Sequence, residues 1–589
     1  MEHSMRRYFF CCGVSALALA VCGAAYAETI DVGDPDWAIR WDNTIEYTTA
    51  VRVAPQNSAL TSLSEPYNSN TAQGDRNFKQ GDVVNDRVDL FSEFDAIYQE
   101  KTGVRFSAAA WYDGAYAGKT AETTGLGTGN TTEPYNSFPR ASHTLMGKDV
   151  ELLDALVFHS FDLSNGQELN VRLGRFSQLY GETLFFGANG IAAAQGPVDF
   201  IKLLSVPTST FKEIIMPVSQ FSASWSVGHG LTVGAYYQFE YRPDRIPAVG
   251  SYFSDANIFG TGAQSVFVPF SLPGSSPAQG GNPGNEAYFA ETKRMLPNSQ
   301  GQAGAEIHWK ASENWEFGLY GANYHEKDPT ALYLQPSGGA SYARLGDGLY
   351  GLNIGSARQV FNENVQTVGA SFATAIGDIN VSGEVSARHN QSIATEGSLI
   401  PALGSTGGSV LLVPAGYNNS SKTAYLRGDT LHANVSAISL FNENAIWDGG
   451  SFVGEIGANH LMTFDNKAPG LALNPTSTHT AVAARFIFEP SFFHVLPGLD
   501  ISTPFGAGFG IYGNSALGSH LAGFDPANTA DLSIGIKASY RSVWKVSLTY
   551  NRYVGPTEQV TAPGVLRALS YAQDLADRDF VSLSLKRTF

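Results

Sequence analysis

Between Trp37 and Val53 the chain alternates without a break. Trp37, Ile39, Trp41, Asn43, Ile45, Tyr47, Thr49, Val51 and Val53 take one set of positions. Ala38, Arg40, Asp42, Thr44, Glu46, Thr48, Ala50 and Arg52 take the other. Successive side chains of a strand point to opposite faces, so the pattern predicts a strand with one apolar, aromatic-ended face and one charged face. Its length is about three times the usual five or six residues of a strand in a soluble domain. A soluble sandwich with one long half-buried strand would explain the alternation. A strand with lipid outside and water inside explains the length as well.

The same signal recurs along the chain. Further strands are predicted at Val84–Gln99, Val104–Ala117, Val150–Leu163, Leu169–Phe176, Ile214–Val227, Leu231–Arg242, Gln302–Lys310, Trp315–His325 and Asn364–Ile376. The rest are Asp378–Arg388, Tyr425–Phe441, Ser451–Phe464, Thr478–Phe493, Leu499–Tyr512, Thr529–Tyr540, Val543–Tyr553 and Arg578–Phe589. That makes about eighteen strands, with sixteen as the alternative if one pair is spurious. Turns after even-numbered strands are short, as at Gly228-His229-Gly230 and Gly377. Connections after odd-numbered strands are long: Ala54–Val83, Gly118–Asp149, Ser177–Glu213, Pro243–Gly301, Glu326–Glu363 and Gln391–Ala424. Short turns on one side and long loops on the other mark a transmembrane antiparallel β-barrel with periplasmic turns and extracellular loops. The expected fold class is therefore all-β.

The ends and the composition agree. Arg6 and Arg7, the apolar run Tyr8–Val21 and the Ala25-Tyr26-Ala27 site read as a cleavable signal peptide over 1–27, with the barrel over 28–589. The three cysteines, Cys11, Cys12 and Cys22, all lie in that leader, which leaves an exported chain without disulfides or thiolate metal sites. A net charge of −17 disfavours nucleic acid as a partner. No apolar run after the leader is long enough for a transmembrane helix, and a closed barrel is the membrane fold without such runs. The first strand begins close behind the leader, so an N-terminal plug of the TonB-dependent kind is not expected.

Several motifs resemble one bacterial outer-membrane family. Gln167–Glu182 (QELNVRLGRFSQLYGE) is similar to the LRLGRQ-x-x-x-WGE signature of the family known as domain of unknown function 1302. Phe176 stands in place of the usual glutamine and Tyr180 in place of the usual tryptophan. Further matches follow in order: Asn77–Asp82, Trp111–Gly114, Pro197-Val198-Asp199, Lys212–Pro217, Tyr236–Tyr241, Gly250–Asp255, Asn323–Pro329, Ser382–Arg388 and Leu575–Val581. The terminal Phe589 on an amphipathic strand resembles the signal read by the barrel-assembly machinery, with Arg587 departing from the usual apolar residue. The resemblance implies an outer-membrane β-barrel of Gram-negative bacteria, surrounded by lipid and lipopolysaccharide. It also implies a genomic neighbourhood of inner-membrane transporters of the resistance-nodulation-division (RND) type and of genes that degrade hydrophobic compounds. It implies no catalytic activity.

Face assignment points Arg40, Glu46, Arg87, Asp113, Arg172, Glu384 and Arg388 into the lumen, where they either pair across strands or meet a solute. Glu384 and Arg388 share a face four residues apart, so each is expected to have a cross-strand partner. The loop 177–213 is unusually apolar for a loop in water. It either packs on its neighbours or folds inward as a plug or solute site, with Tyr180, Glu182, Phe185, Phe186 and Phe200 as the site candidates. The loop 243–301, rich in Gly, Pro and Ser, is expected to be an external lid. His325 is a weak candidate for a general base, because no partner residues are spaced for a catalytic triad. No metal or cofactor is expected. The expected function is a channel or transporter for a small hydrophobic or amphipathic solute, not an enzyme. The rivals are a non-conducting structural partner of an envelope complex and, less favoured, a barrel hydrolase.

Overall fold

The computed structural model describes residues 28–62, 70–122, 131–205, 214–267, 287–344, 350–397, 409–465, 470–517, 524–557 and 571–589. The predicted signal peptide lies outside the described residues. Eighteen antiparallel strands form a closed barrel. They are β1 (Trp37–Arg52), β2 (Val83–Tyr98), β3 (Thr102–Asp113), β4 (Lys148–Asp162), β5 (Glu168–Phe176), β6 (Val218–Gly228), β7 (Leu231–Gln238), β8 (Gln302–Lys310) and β9 (Trp315–Tyr324). They continue with β10 (Val365–Ile376), β11 (Ile379–Ile393), β12 (Leu426–Phe441), β13 (Gly449–Phe464), β14 (Thr480–Leu496), β15 (Leu499–Ser502 and Phe505–Tyr512), β16 (Ala530–Tyr540), β17 (Trp544–Val554) and β18 (Phe580–Thr588). Each predicted strand has its counterpart. The break in β15 falls at Thr503-Pro504, where proline has no N–H to give the ladder. Strand β18 pairs with β1, Ser582 opposite Ala50 and Thr588 opposite Thr44, so no edge is left open.

Register puts like faces together around the wall. Arg40 lies opposite Asp95, and Asp95 opposite Arg105, all inward. The outward positions are apolar and exposed: Leu90, Phe106, Leu173, Leu319, Val368, Val435, Ile456 and Ile534. Water would be a poor solvent for such a belt, and lipid a good one. Of eight tryptophans, Trp37, Trp41, Trp225, Trp309, Trp315, Trp447 and Trp544 lie toward the short-turn end, and Trp111 does not. Amphipathic indoles favour the headgroup level, so this end marks a membrane–water boundary.

The long loops are less irregular than their composition predicts. Segments Ser265–Phe267 and Ala287–Glu291 from the 243–301 loop, Ala331–Arg344 and Tyr350–Val360 from the next, and Ser409–Leu412 from a third form a separate five-stranded sheet. That sheet covers a core of Val198, Phe200, Ile258, Phe289, Leu332, Ala357 and Val410, all buried. The loops bury their apolar residues against one another, a long-range pairing without local turn chemistry to announce it. Strand β3 also ends four residues earlier than predicted, because Asp113 accepts from the Ala115 N–H and caps the short helical turn Gly114–Tyr116.

Three of the motifs meet at the loop end of β1. The Arg52 side chain is fully buried and pairs with Asp75 at 2.5 Å and Asp577 at 3.2 Å. Arg578 donates to the carbonyls of Tyr252 and Ser254 at 2.5 and 2.7 Å. Four cation and anion side chains thus tie the β1–β2 loop, the 243–301 loop and the C-terminal strand together.

Two outcomes follow from these placements. Leu319→Arg, in the middle of the outer belt, should destabilise the barrel by about 2–4 kcal/mol, and Phe239→Arg, at its loop-side rim, by roughly 0–1 kcal/mol, measured by reversible urea unfolding in vesicles. In the loop sheet, burial pushes the Glu291 carboxyl up to about 8 from its ordinary 4.5. The folded sheet then holds a proton that the unfolded chain loses, so its stability is fully present below pH 4.5 and declines as pH rises to about 8. Hydrogen exchange of 287–291 should show that decline, and Glu291→Gln should flatten it.

Candidate functional site

After β5 the chain does not run outward over the rim. It turns along the inner wall, out past β11 to β14 and back to β7, held at each step by inward side chains. Tyr180 packs against the inward rings of Tyr236 on β7 and Tyr320 on β9, with centroids 5.3 and 6.1 Å away. Glu384 on β11 accepts from the Glu182 N–H at 2.6 Å and the Ile191 N–H at 2.8 Å, clamping the outgoing and returning limbs. Glu455 on β13 accepts from the Thr183 hydroxyl at 2.7 Å and from the N–H groups of Leu184 and Phe186 at 3.1 and 3.0 Å, with Phe185 N–H between them. Arg388 donates to the carbonyls of Ala188 and Gly190 at 3.0 and 2.8 Å.

At the far bend Asn189 is fully engaged. Its amide nitrogen donates to Asn434 Oδ1 at 2.8 Å, and its oxygen accepts from Asn459 at 3.2 Å and from His432 Nδ1 at 2.9 Å. His432 Nε2 is then left to accept from the Thr430 hydroxyl at 2.9 Å, which fixes the tautomer. Phe186 inserts among Phe524, Ala481 and Ala483. Gly181 sits at φ +89° directly over the Glu384 carboxylate, where any Cβ would collide with it. On the return, Tyr236 OH donates to Ala194 O at 3.2 Å, and Gln238 donates to Gln195 O.

The carboxylates and the guanidinium here supply hydrogen bonds to a loop's backbone, which has no ladder of its own in the lumen. Glu384 and Arg388 were expected to have cross-strand partners. Their main partners are the inward segment instead, with a weaker cross-strand contact from Asn434 to Glu384 at 3.4 Å. The other predicted lumen charges are placed as follows. Arg40 pairs with Asp95 at 3.3 Å. Glu46 accepts from Ser584 at 2.6 Å and lies 3.8 Å from Lys586. Arg87 pairs with Asp89 at 2.6 Å and lies over the Trp111 ring. Asp113 receives the Asp86 and Ala115 N–H groups, both at 2.9 Å. Arg172 has no side-chain partner among the described residues and lines a cleft of about 200 Å³ below the segment. Of the apolar candidates, Phe185 is half-buried. Phe200 has left the lumen and begins the short helix Phe200–Ser205 inside the loop core. Residues 206–213 lie outside the described residues.

His325 is engaged on both nitrogens. Nδ1 accepts from the Asn364 N–H at 3.0 Å, so Nε2 carries the proton and donates to Gln300 O at 3.0 Å. Burial holds this imidazole below its ordinary pKa. It serves as a clamp between two loops.

Residues 9–589 match the family described as protein of unknown function (DUF1302). The chain belongs to this family. No curated protein matches it. Among solved structures, it is similar to OccAB2 of Acinetobacter baumannii at 12% identity and TM-score 0.40, covering 94% of this chain and 98% of the other. It is similar to OccK2 (OpdF) of Pseudomonas aeruginosa in complex with glucuronate at 9% identity and TM-score 0.37, over 94% and 98% of the two chains. The outer membrane channel DcaP of A. baumannii gives 10% identity and TM-score 0.32, over 96% and 100%. The barrel itself rests on the strand pairings of this DUF1302 chain.

Residues of this DUF1302 member that sequence reasoning passed over are Asn189, Tyr236, Glu306, His308, Tyr320, His432 and Asn434. The period-2 pattern puts the strand-borne ones inward, so parity along the strand could have found them. Their partners could not have been found that way. Glu455→Ala would leave three loop N–H groups without an acceptor, weakening the segment by about 2–4 kcal/mol. Amides 183–191 should then exchange roughly 30- to 1,000-fold faster by mass spectrometry, with the barrel strands unchanged.

Proposed function

We propose that this chain is an outer-membrane channel that passes a small hydrophobic or amphipathic solute, with the inward segment as its constriction. The observation that carries this reading is the path of residues 180–195, pinned along the inner wall from β7 to β14 by Glu384, Arg388, Glu455 and Asn189. The opposite arc, β15 round to β6, carries no such hold among the described residues and presents paired charges such as Arg40–Asp95 and Arg105–Asp95. A fixed segment on one side and a charged wall on the other suit a selective passage. Tyr180, Glu182 and Phe185 would face or frame the solute, with Phe186 buried against Phe524 as the segment's anchor, while the loop sheet over 243–301 and its neighbours would cover the outer mouth. An inner-membrane transporter of the RND type is the partner that this family membership suggests.

The hydrolase reading loses its candidate base, since both His325 nitrogens are occupied by backbone groups. The non-conducting structural partner remains the rival. Planar-bilayer conductance separates the two. Replacing Thr183–Ala192 with a short Gly-Ser linker, which spares Phe200 and the loop core, should raise a small steady current several-fold. Absence of current from both proteins would overturn the channel and favour the structural partner.

A further inference from the structure

The segment leaves a cleft of about 200 Å³ against the wall of β5, β6 and β8, lined by Asn170, Arg172, Gln178, Tyr180, Ser222 and Glu306 among others. Four of these residues come from the single stretch Gln167–Glu182. Two features of the cleft leave hydrogen-bonding capacity unused by the fold: an exposed arginine and a buried tyrosine hydroxyl.

The first is Arg172. Among the predicted lumen cations, Arg40, Arg87 and Arg388 each have a partner, whereas the Arg172 guanidinium has none among the described residues. The second is Tyr180. It is 4% exposed, yet its hydroxyl has no hydrogen-bond partner among the described residues and faces the cleft. Neighbouring tyrosines behave differently: Tyr236 OH donates to Ala194 O, and Tyr320 OH is 2.9 Å from Ser371 Oγ. A buried tyrosine hydroxyl ordinarily finds a partner. A planar guanidinium fork and a phenol, both open to one cleft, are matched by a carboxylate, which accepts two N–H groups and an O–H.

The far wall narrows the class. Glu306 is held by His308 at 3.0 Å and presents negative charge to the same space. A second carboxylate on the ligand would be repelled there. Tyr180, backed by the rings of Tyr236 and Tyr320, and Ala223 supply the apolar part of the lining. The volume is below the roughly 300–1,000 Å³ of a pocket for a drug-sized ligand, so the cleft takes a head group and a small ring.

We propose that Arg172 and Tyr180 form a subsite for the carboxylate of a small monocarboxylic acid with an apolar body, on the short-turn side of the constriction. This deepens the channel reading by giving its solute a chemical class, and it rests on that reading for its biological meaning.

The test is calorimetric titration of the refolded full-length mature barrel with benzoate, alongside its conductance. Benzoate should bind the native protein. Arg172→Gln should weaken binding at least tenfold, Tyr180→Phe several-fold, and Arg172→Lys should fall between, since it keeps the charge and loses the fork. Benzyl alcohol and phthalate should bind at least tenfold more weakly than benzoate. Heat-modifiable gel mobility checks that each variant is folded. Lack of benzoate binding, equal binding by folded Arg172→Gln, or equal binding of phthalate would overturn the subsite. Conductance without benzoate binding would leave the channel standing and remove the subsite. Arg172-dependent binding without conductance in the native or linker protein would keep the subsite and remove the channel.

Discussion

Backbone hydrogen bonding in lipid is the constraint from which this structure follows. A strand surrounded by hydrocarbon has no water for its N–H and C=O groups, so each must be met by a neighbouring strand. The chain meets it by joining β18 to β1, with Thr588 opposite Thr44 and Phe580 opposite Arg52. Closure removes the two edges that an open sheet of this size would expose. It also makes an inside, where side chains of alternate residues meet water instead of lipid. The outward Leu319 and inward Tyr320 are adjacent in sequence and sit in different solvents.

The same accounting applies to the inward segment. Backbone that leaves the ladder and runs inside the lumen must find other partners, and here they are side chains of the wall. Glu384 and Glu455 act as acceptors for the segment's N–H groups, and Arg388 acts as donor for its carbonyls. These are charge-assisted bonds, roughly twice as strong as neutral ones. Three of the buried charges, Glu384, Arg388 and Glu455, are thus in the service of one loop. That leaves Arg172 and the Tyr180 hydroxyl conspicuous, because the structure itself makes no use of their hydrogen-bonding capacity.

Above the barrel, a second core forms without lipid. The long loops bring apolar residues from four connections together under the five-stranded sheet, and Phe200 belongs to that core and not to the lumen. One chain thus buries apolar surface by two routes: outward into the bilayer along the strands, and inward against itself in the loops. The buried Arg52 and Arg578, with Asp75 and Asp577, fasten the loop layer to the strand pair that closes the barrel.

The sequence by itself determined the strands and the face each residue takes. Side chains along a strand alternate by geometry, so Arg40, Glu384 and Arg388 could be assigned to the lumen without knowing any neighbour. The alternation of short turns and long connections likewise pointed to a barrel of about eighteen strands, with sixteen left open, and to which end carries the long loops. Only the tertiary structure decided what those lumen residues touch. Glu455 meets Phe186 at a sequence separation of 269, and Asn189 meets His432 at one of 243. No local period or turn residue encodes such a meeting, because it depends on how a whole loop is threaded. For the same reason the loop sheet was invisible: Ala287–Glu291 and Ser409–Leu412 are strands only because Tyr350–Val360 and Ala331–Arg344 lie beside them.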